Sequence, residues 1–174
     1  MKKRFFLLAI LTLTGAIFSA CEKDDICPEG SGTTPYLHIG FFDITDQDVP
    51  KSVTRLRAVG LGQNITVGTF SDRTSQNEIT LPLKNYENAT SFYLINDSAD
   101  DANGVETGDV DLVEFNYQTN EVFISRGCGY AVNYILNQVV NDPEGVDSSQ
   151  WIRALEVVKS SVQPQDTLHV KIYH

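Results

Sequence analysis

The stretch Val110-Asp111-Leu112-Val113-Glu114-Phe115-Asn116-Tyr117 decides the fold class. Val113, Phe115 and Tyr117 fall on one face, and Leu112, Glu114 and Asn116 on the other. Side chains of a strand alternate between two faces, so this spacing puts one face on a core and the other in water. The same period recurs in Ile79, Leu81 and Leu83, and again in Leu168, Val170 and Ile172. β-branched and aromatic residues fill these runs, as a pleated surface favours.

Working outward, the chain from Tyr36 reads as short apolar runs separated by polar turn residues. Strands are expected at 36–44, 53–59, 65–70, 78–83, 91–96, 110–117, 121–126, 130–140, 151–158 and 167–173. Gln118-Thr119-Asn120-Glu121 has the length of a hairpin loop between two of them. Residues 151–158 are ambiguous. Trp151, Ile152, Leu155 and Val158 also fit a helical face that Ser149 could cap, but strand is the preferred reading. No crossover helices are available for a parallel sheet. The expected fold is an all-β antiparallel sandwich, with an immunoglobulin-like arrangement as a candidate.

The first twenty residues have a different character. Lys2, Lys3 and Arg4 precede an apolar run from Phe5, and Ser19 and Ala20 close it. This is the layout of a secretory signal peptide, with an apolar core too short for a membrane span. Phe18-Ser19-Ala20-Cys21 resembles the lipobox of bacterial lipoproteins, with Phe18 where Leu is usual. That resemblance implies cleavage before Cys21 and acylation of its thiol, so that several acyl chains hold the protein to a bilayer. Residues 22–35 carry acids, Pro28, Gly30, Ser31, Gly32 and Pro35 but only Ile26 as an apolar side chain, and read as a flexible tether. The expected organisation is a signal peptide at 1–20, a lipidated tether at 21–35 and one β-sandwich domain at 36–174.

Removing the leader takes Lys2, Lys3 and Arg4 from the 13 basic residues and none of the 23 acidic ones, leaving a net charge of −13 over 154 residues. Such a surface repels nucleic acid and anionic headgroups. With Cys21 acylated, Cys27 and Cys128 remain as an even pair in an oxidising compartment, and a disulfide between them is expected.

Catalytic and metal motifs are missing. There is no Gly-x-Ser-x-Gly elbow, phosphate loop or His-Glu-x-x-His. His38, His169 and His174 read as ordinary surface or edge histidines. The acidic stretch 97–111 invites a calcium reading, but aligning on Gly104 puts Ala99 in the first ligand position and Val110 in the closing one. A solvated loop is expected there. Tyr86, Tyr93, Tyr130, Tyr134 and Trp151 could line a glycan-binding surface, against the plainer reading of core packing.

Several segments in order resemble one family of short lipoproteins of the Bacteroidetes, the domain of unknown function 6452. They are Cys21-Glu22-Lys23-Asp24-Asp25-Ile26-Cys27, Ile79-Thr80-Leu81-Pro82-Leu83, Phe123-Ile124-Ser125-Arg126 before Cys128-Gly129-Tyr130, Trp151-Ile152, and His169-Val170-Lys171-Ile172. The resemblance implies an envelope lipoprotein and supplies no activity. Lys23, Asp24 and Asp25 look like the signal that sends lipoproteins of that phylum to the outer face of the outer membrane. The functional expectation is a non-enzymatic, surface-displayed binding or accessory module without a cofactor. Its partners are the membrane, through Cys21, and a protein or glycan. A glycan-binding module and an envelope hydrolase are the alternatives.

Overall fold

A computed structural model describes residues 26–145, 149–164 and 167–174. The signal peptide, Cys21 and the Lys23-Asp24-Asp25 signal lie outside the described residues. Among the described residues there is no helix, and ten strands form two sheets. The strands are β1 (Leu37–Phe42), β2 (Val53–Gly60), β3 (Thr74–Gln76), β4 (Glu78–Leu81), β5 (Ala89–Asn96), β6 (Asp109–Ser125), β7 (Gly129–Asn141), β8 (Ala154–Val157), β9 (Ser161–Val162) and β10 (Val170–Tyr173).

One sheet has the order β4-β1-β10-β8 and the other β3-β2-β5-β6-β7-β9. Pairing is antiparallel in most of both, as the alternation predicts. The exception is β1 with β10, which run parallel with Ile39 opposite Val170 and Phe41 opposite Ile172. A parallel pair between the first and last strands needs no helical crossover, because the intervening chain builds the rest of the sandwich.

The alternating residues form the core. Val113, Phe115 and Tyr117 from β6 meet Leu37, Ile39 and Phe41 from β1 and Val170 and Ile172 from β10 in one buried cluster. In β2 the alternation slips by one. Val53 is buried, Thr54 and Arg55 are both exposed, and Leu56 is buried again. The pairing register shifts between Val53 and Leu56, and Arg55 has φ 41°. A bulge therefore absorbs the extra residue and returns Leu56 and Ala58 to the core.

Four expectations are corrected. Gln118-Thr119-Asn120-Glu121 does not turn, because β6 runs through it to Ser125. The inward alternation stops at Tyr117 because the strand leaves the core there, and beyond it both faces are at least partly exposed. The reversal comes at residues 126–128, next to Gly129 at φ 71°. Residues 65–70 form no strand and make only an isolated bridge between Thr66 and Val59. The short strands β3 and β9 have no apolar alternation and were not foreseen. Thr34 and Pro35, expected in the tether, belong to the sandwich unit, because Pro35 is buried and the Val132 N–H donates to Thr34 Oγ1 at 3.0 Å. The segment 151–158 takes the strand reading over 154–157, as β8.

The chain divides into two compact units. One consists of Gly32–Val122 and Ala131–His174 and contains the buried cluster. The other consists of Phe123–Tyr130 with the described residues up to Ser31. In this smaller unit a disulfide joins Cys27 to Cys128, with Cα atoms 4.7 Å apart. The Cys128 N–H donates to Ser125 Oγ at 3.1 Å, which closes the turn.

Candidate functional site

The sandwich unit carries a cleft of about 510 Å³. One wall is the chain leaving β2, from Gly60 to Val67, and the other is the chain leaving β4, from Pro82 to Glu87. The floor is the start of β5, including Thr90 and Phe92, with Glu114 of β6 at its edge. Leu61 and Ile65 stand in the first wall and are 46% and 76% exposed. Isolated exposed apolar residues are ordinary, but these two put exposed apolar surface beside a cleft.

Backbone bonds hold the first wall in place. The Leu61 N–H donates to the Ser91 carbonyl at 2.9 Å, and the Val67 N–H to the Ala58 carbonyl at 3.1 Å. Gly62, at φ 78°, provides the left-handed residue of the intervening turn.

Two tyrosines fix the second wall from inside the core. The Tyr117 hydroxyl donates to the Lys84 carbonyl at 2.9 Å and lies 2.6 Å from Thr90 Oγ1, which accepts the Lys84 N–H at 3.1 Å. The Tyr134 hydroxyl lies 2.6 Å from Asn85 Oδ1 and 3.2 Å from the Leu83 carbonyl oxygen. The rings meet edge to face at 5.2 Å. Burial raises both phenols, Tyr134 to about 12, so both remain neutral donors at ordinary pH.

Four polar side chains of the cleft are paired with one another. Lys84 Nζ pairs with Glu87 at 2.8 Å, and the Ser91 hydroxyl donates to Glu114 at 3.4 Å. Glu114 also accepts from Asn116 Nδ2 at 3.0 Å. The cleft holds no histidine, cysteine or aspartate. Its chemistry is apolar contact with a polar rim.

The acidic stretch is not simply solvated. Glu106 accepts the N–H groups of Ala99, Thr107 and Gly108 and pairs with Arg57 at 3.3 Å. Burial works against its charge, but these hydrogen bonds outweigh it and lower its pKa. Asp97 pairs with Arg55 and Asp100 with Arg73. Asp101 accepts from the N–H groups of Asn103 and Val105. Asp111, at the end of the stretch, is 1% exposed in β6, and sequence reasoning missed it. Its signal was its place two residues before Val113 on the inward face. Among the described residues no group of three His, Cys, Asp or Glu side chains could hold a metal ion.

The histidine reading is corrected at His169, which is fully buried. Its Nδ1 accepts the His38 N–H at 3.1 Å, and its own N–H donates to the His38 carbonyl at 3.0 Å. It precedes β10 on the face opposite Val170, and that face is covered as well. Burial, with His38 and Lys159 nearby, lowers its pKa to about 4, so the ring is neutral. Of the five aromatics considered for a glycan surface, Tyr134 and Trp151 are buried, while Tyr86 and Tyr130 are exposed.

A model described as a family of unknown function, DUF6452, matches residues 55–174. The chain belongs to this family. The DUF6452 match begins within β2 and includes both walls and the floor of the cleft. It also includes Asp111, His169 and Cys128 but not Cys27. No curated protein and no solved structure matches the chain.

Proposed function

We propose that this DUF6452 protein is a lipid-anchored, non-enzymatic binding module of the bacterial outer membrane, displayed at the surface, which seats an apolar segment of a protein partner in its cleft. The observation that carries the binding role is the cleft itself, with Leu61 and Ile65 exposed in one wall. Its one aromatic lining residue, Phe92, is 3% exposed and offers no face for a sugar, which favours a protein segment over a glycan. Asp111, raised by burial, and His169, lowered by burial, lie outside the cleft lining and hold the backbone of neighbouring segments. The anchor and surface display rest on Lys2 to Cys21 and on Lys23, Asp24 and Asp25.

The test is cross-linking in intact cells from a photoreactive residue at Gln63, within the cleft wall. A discrete adduct is expected for the parent. It should disappear in Ile65→Glu and Leu61→Glu and persist in Val158→Glu, a change at an exposed position outside the cleft. An adduct indifferent to the two cleft changes refutes the cleft as the binding site. Protease added to intact cells tests display. The parent should be digested and the Lys23→Ala, Asp24→Ala, Asp25→Ala triple variant protected, and equal digestion refutes that signal.

A further inference from the structure

We infer that the tip of the β6–β7 hairpin is a second membrane contact, inserting Phe123 and Tyr130 into the interface of the same bilayer that holds the acyl chains on Cys21. The inference rests on the lipid anchor proposed above. Phe123 and Tyr130 pack edge to face at 5.3 Å and are 56% and 67% exposed. Ile26, beside the disulfide, is 76% exposed. Three large apolar side chains thus stand in water within one small unit whose frame is a covalent bond. Such a cluster marks an interaction surface.

Chain length selects the occupant. Cys27 is six residues from Cys21, and six extended residues span at most about 20 Å. The disulfide puts Cys128, and with it the hairpin turn, within about the same reach of the lipid. The link is covalent at both ends, so the tip cannot drift away from the surface. Charge agrees. The hairpin end Phe123–Tyr130 carries one base, Arg126, and no acid, whereas the processed chain as a whole carries −13. The hairpin end is therefore free of the acids that repel headgroups elsewhere in the chain. Tyrosine, like tryptophan, favours the headgroup boundary because its apolar body and polar tip are both satisfied there, and the Phe123 ring supplies apolar surface beside it. The contact would add a second attachment to the acyl chains and hold the tip against the membrane.

The experiment uses the full, acylated protein reconstituted into phosphatidylcholine vesicles, with acylation read by mass. A Tyr130→Trp variant carries the reporter, and the parent supplies the background from Trp151. Insertion predicts a blue-shifted indole emission and strong quenching by bromines set shallow in the acyl chain, at roughly 5–10 Å depth. Adding Phe123→Asp and Ile26→Asp should abolish that quenching while acylation and the thermal midpoint are retained. Acylated protein whose indole is not quenched overturns the inference, and so does shielding of the indole by a second copy, seen as a dimer in detergent. Protein without acyl mass overturns the anchor itself and the inference with it, a result distinct from the other two.

Discussion

Asp111 holds Ile152 from forty-one residues away, with Oδ2 accepting the Ile152 N–H at 2.8 Å while Oδ1 accepts that of Trp151 at 3.3 Å. Asn141 Nδ2 reaches the same carboxylate and also the Ile152 carbonyl. The carboxylate of β6 thus acts as an acceptor for the chain that enters β8, where no strand supplies one. It is buried, and burial raises its pKa against the opposing pull of those two N–H groups.

Replacing Asp111 by Ala should leave both N–H groups without this acceptor. A buried donor left unsatisfied costs about 1–3 kcal/mol, so the urea midpoint should drop clearly. Asp111→Asn should cost less, because one oxygen remains. It should also alter the pH dependence. A carboxyl whose folded pKa is raised stabilises below the unfolded value, and that contribution is lost as pH rises through the folded one. Asp111→Asn removes this term, so the variant's deficit should be larger at pH 4 than at pH 7. A deficit that shrinks at pH 4 would show that the carboxyl does not titrate high.

His169 makes the opposite prediction. Its folded pKa of about 4 lies below the ordinary histidine value of 6.5, so the unfolded chain takes up a proton that the folded one refuses. Stability from this group is complete above 6.5 and is lost as pH falls from there toward 4. The full span corresponds to about 3 kcal/mol. His174 is also lowered, by burial, and shares the window. The carboxylates with lowered pKa titrate below about pH 4.5, whereas Asp111, raised by burial, works in the opposite direction to His169 and is unchanged by substitution at 169. From pH 7 to pH 5 the urea midpoint of the parent should therefore lose ground relative to that of His169→Asn, which keeps an acceptor for the His38 N–H. Equal slopes would sink this account.

Period-two alternation made the sandwich legible where strands bury one face, as at Ile79 to Leu83, Val113 to Tyr117 and Leu168 to Ile172. It failed where burial departs from that pattern. Beyond Tyr117, β6 has no core to face, so its polar residues have the composition of a turn. The segment 65–70 is apolar because Val67 and Phe70 pack against the core, not because it pairs as a strand. His169 and Asp111 are polar residues whose partners lie 131 and 41 positions away, and no local pattern reports such partners. The cleft belongs to the same class, since its two walls and floor come from separate segments, brought together by the pairing of β2, β5 and β6 and by the hydrogen bonds that Tyr117, Tyr134 and Thr90 make to the chain leaving β4.

Tyr117 links core to cleft. Tyr117→Phe removes the bond to the Lys84 carbonyl and the contact with Thr90. The loss should be about 0.5–1.5 kcal/mol in global stability. The wall from Pro82 to Glu87 should loosen locally, and hydrogen exchange of the Lys84 amide should accelerate more than that of the β6 amides. The Gln63 adduct should weaken as well. Uniform acceleration across both sites would mean the hydroxyl supports the whole fold and has no particular hold on the wall.

The Cys27–Cys128 bond gives the last prediction. It closes a loop spanning a sequence separation of 101 residues. The chain-entropy model assigns roughly 4–5 kcal/mol to a loop of that length, although measured gains are often smaller. In the folded state little is asked of the chain, because Thr34 is already held by the Val132 N–H and only a few residues separate it from Cys27. The unfolded chain bears most of the constraint. A Cys27→Ser, Cys128→Ser variant of residues 22–174 should therefore unfold at a lower urea concentration, with a larger m value from its more expanded unfolded state. Reductant should move the parent toward the variant and leave the variant unchanged. Thiol labelling of unfolded, unreduced parent supplies the direct check: two reactive thiols would refute the bond, and none would leave the stability difference as the measure of what the loop contributes.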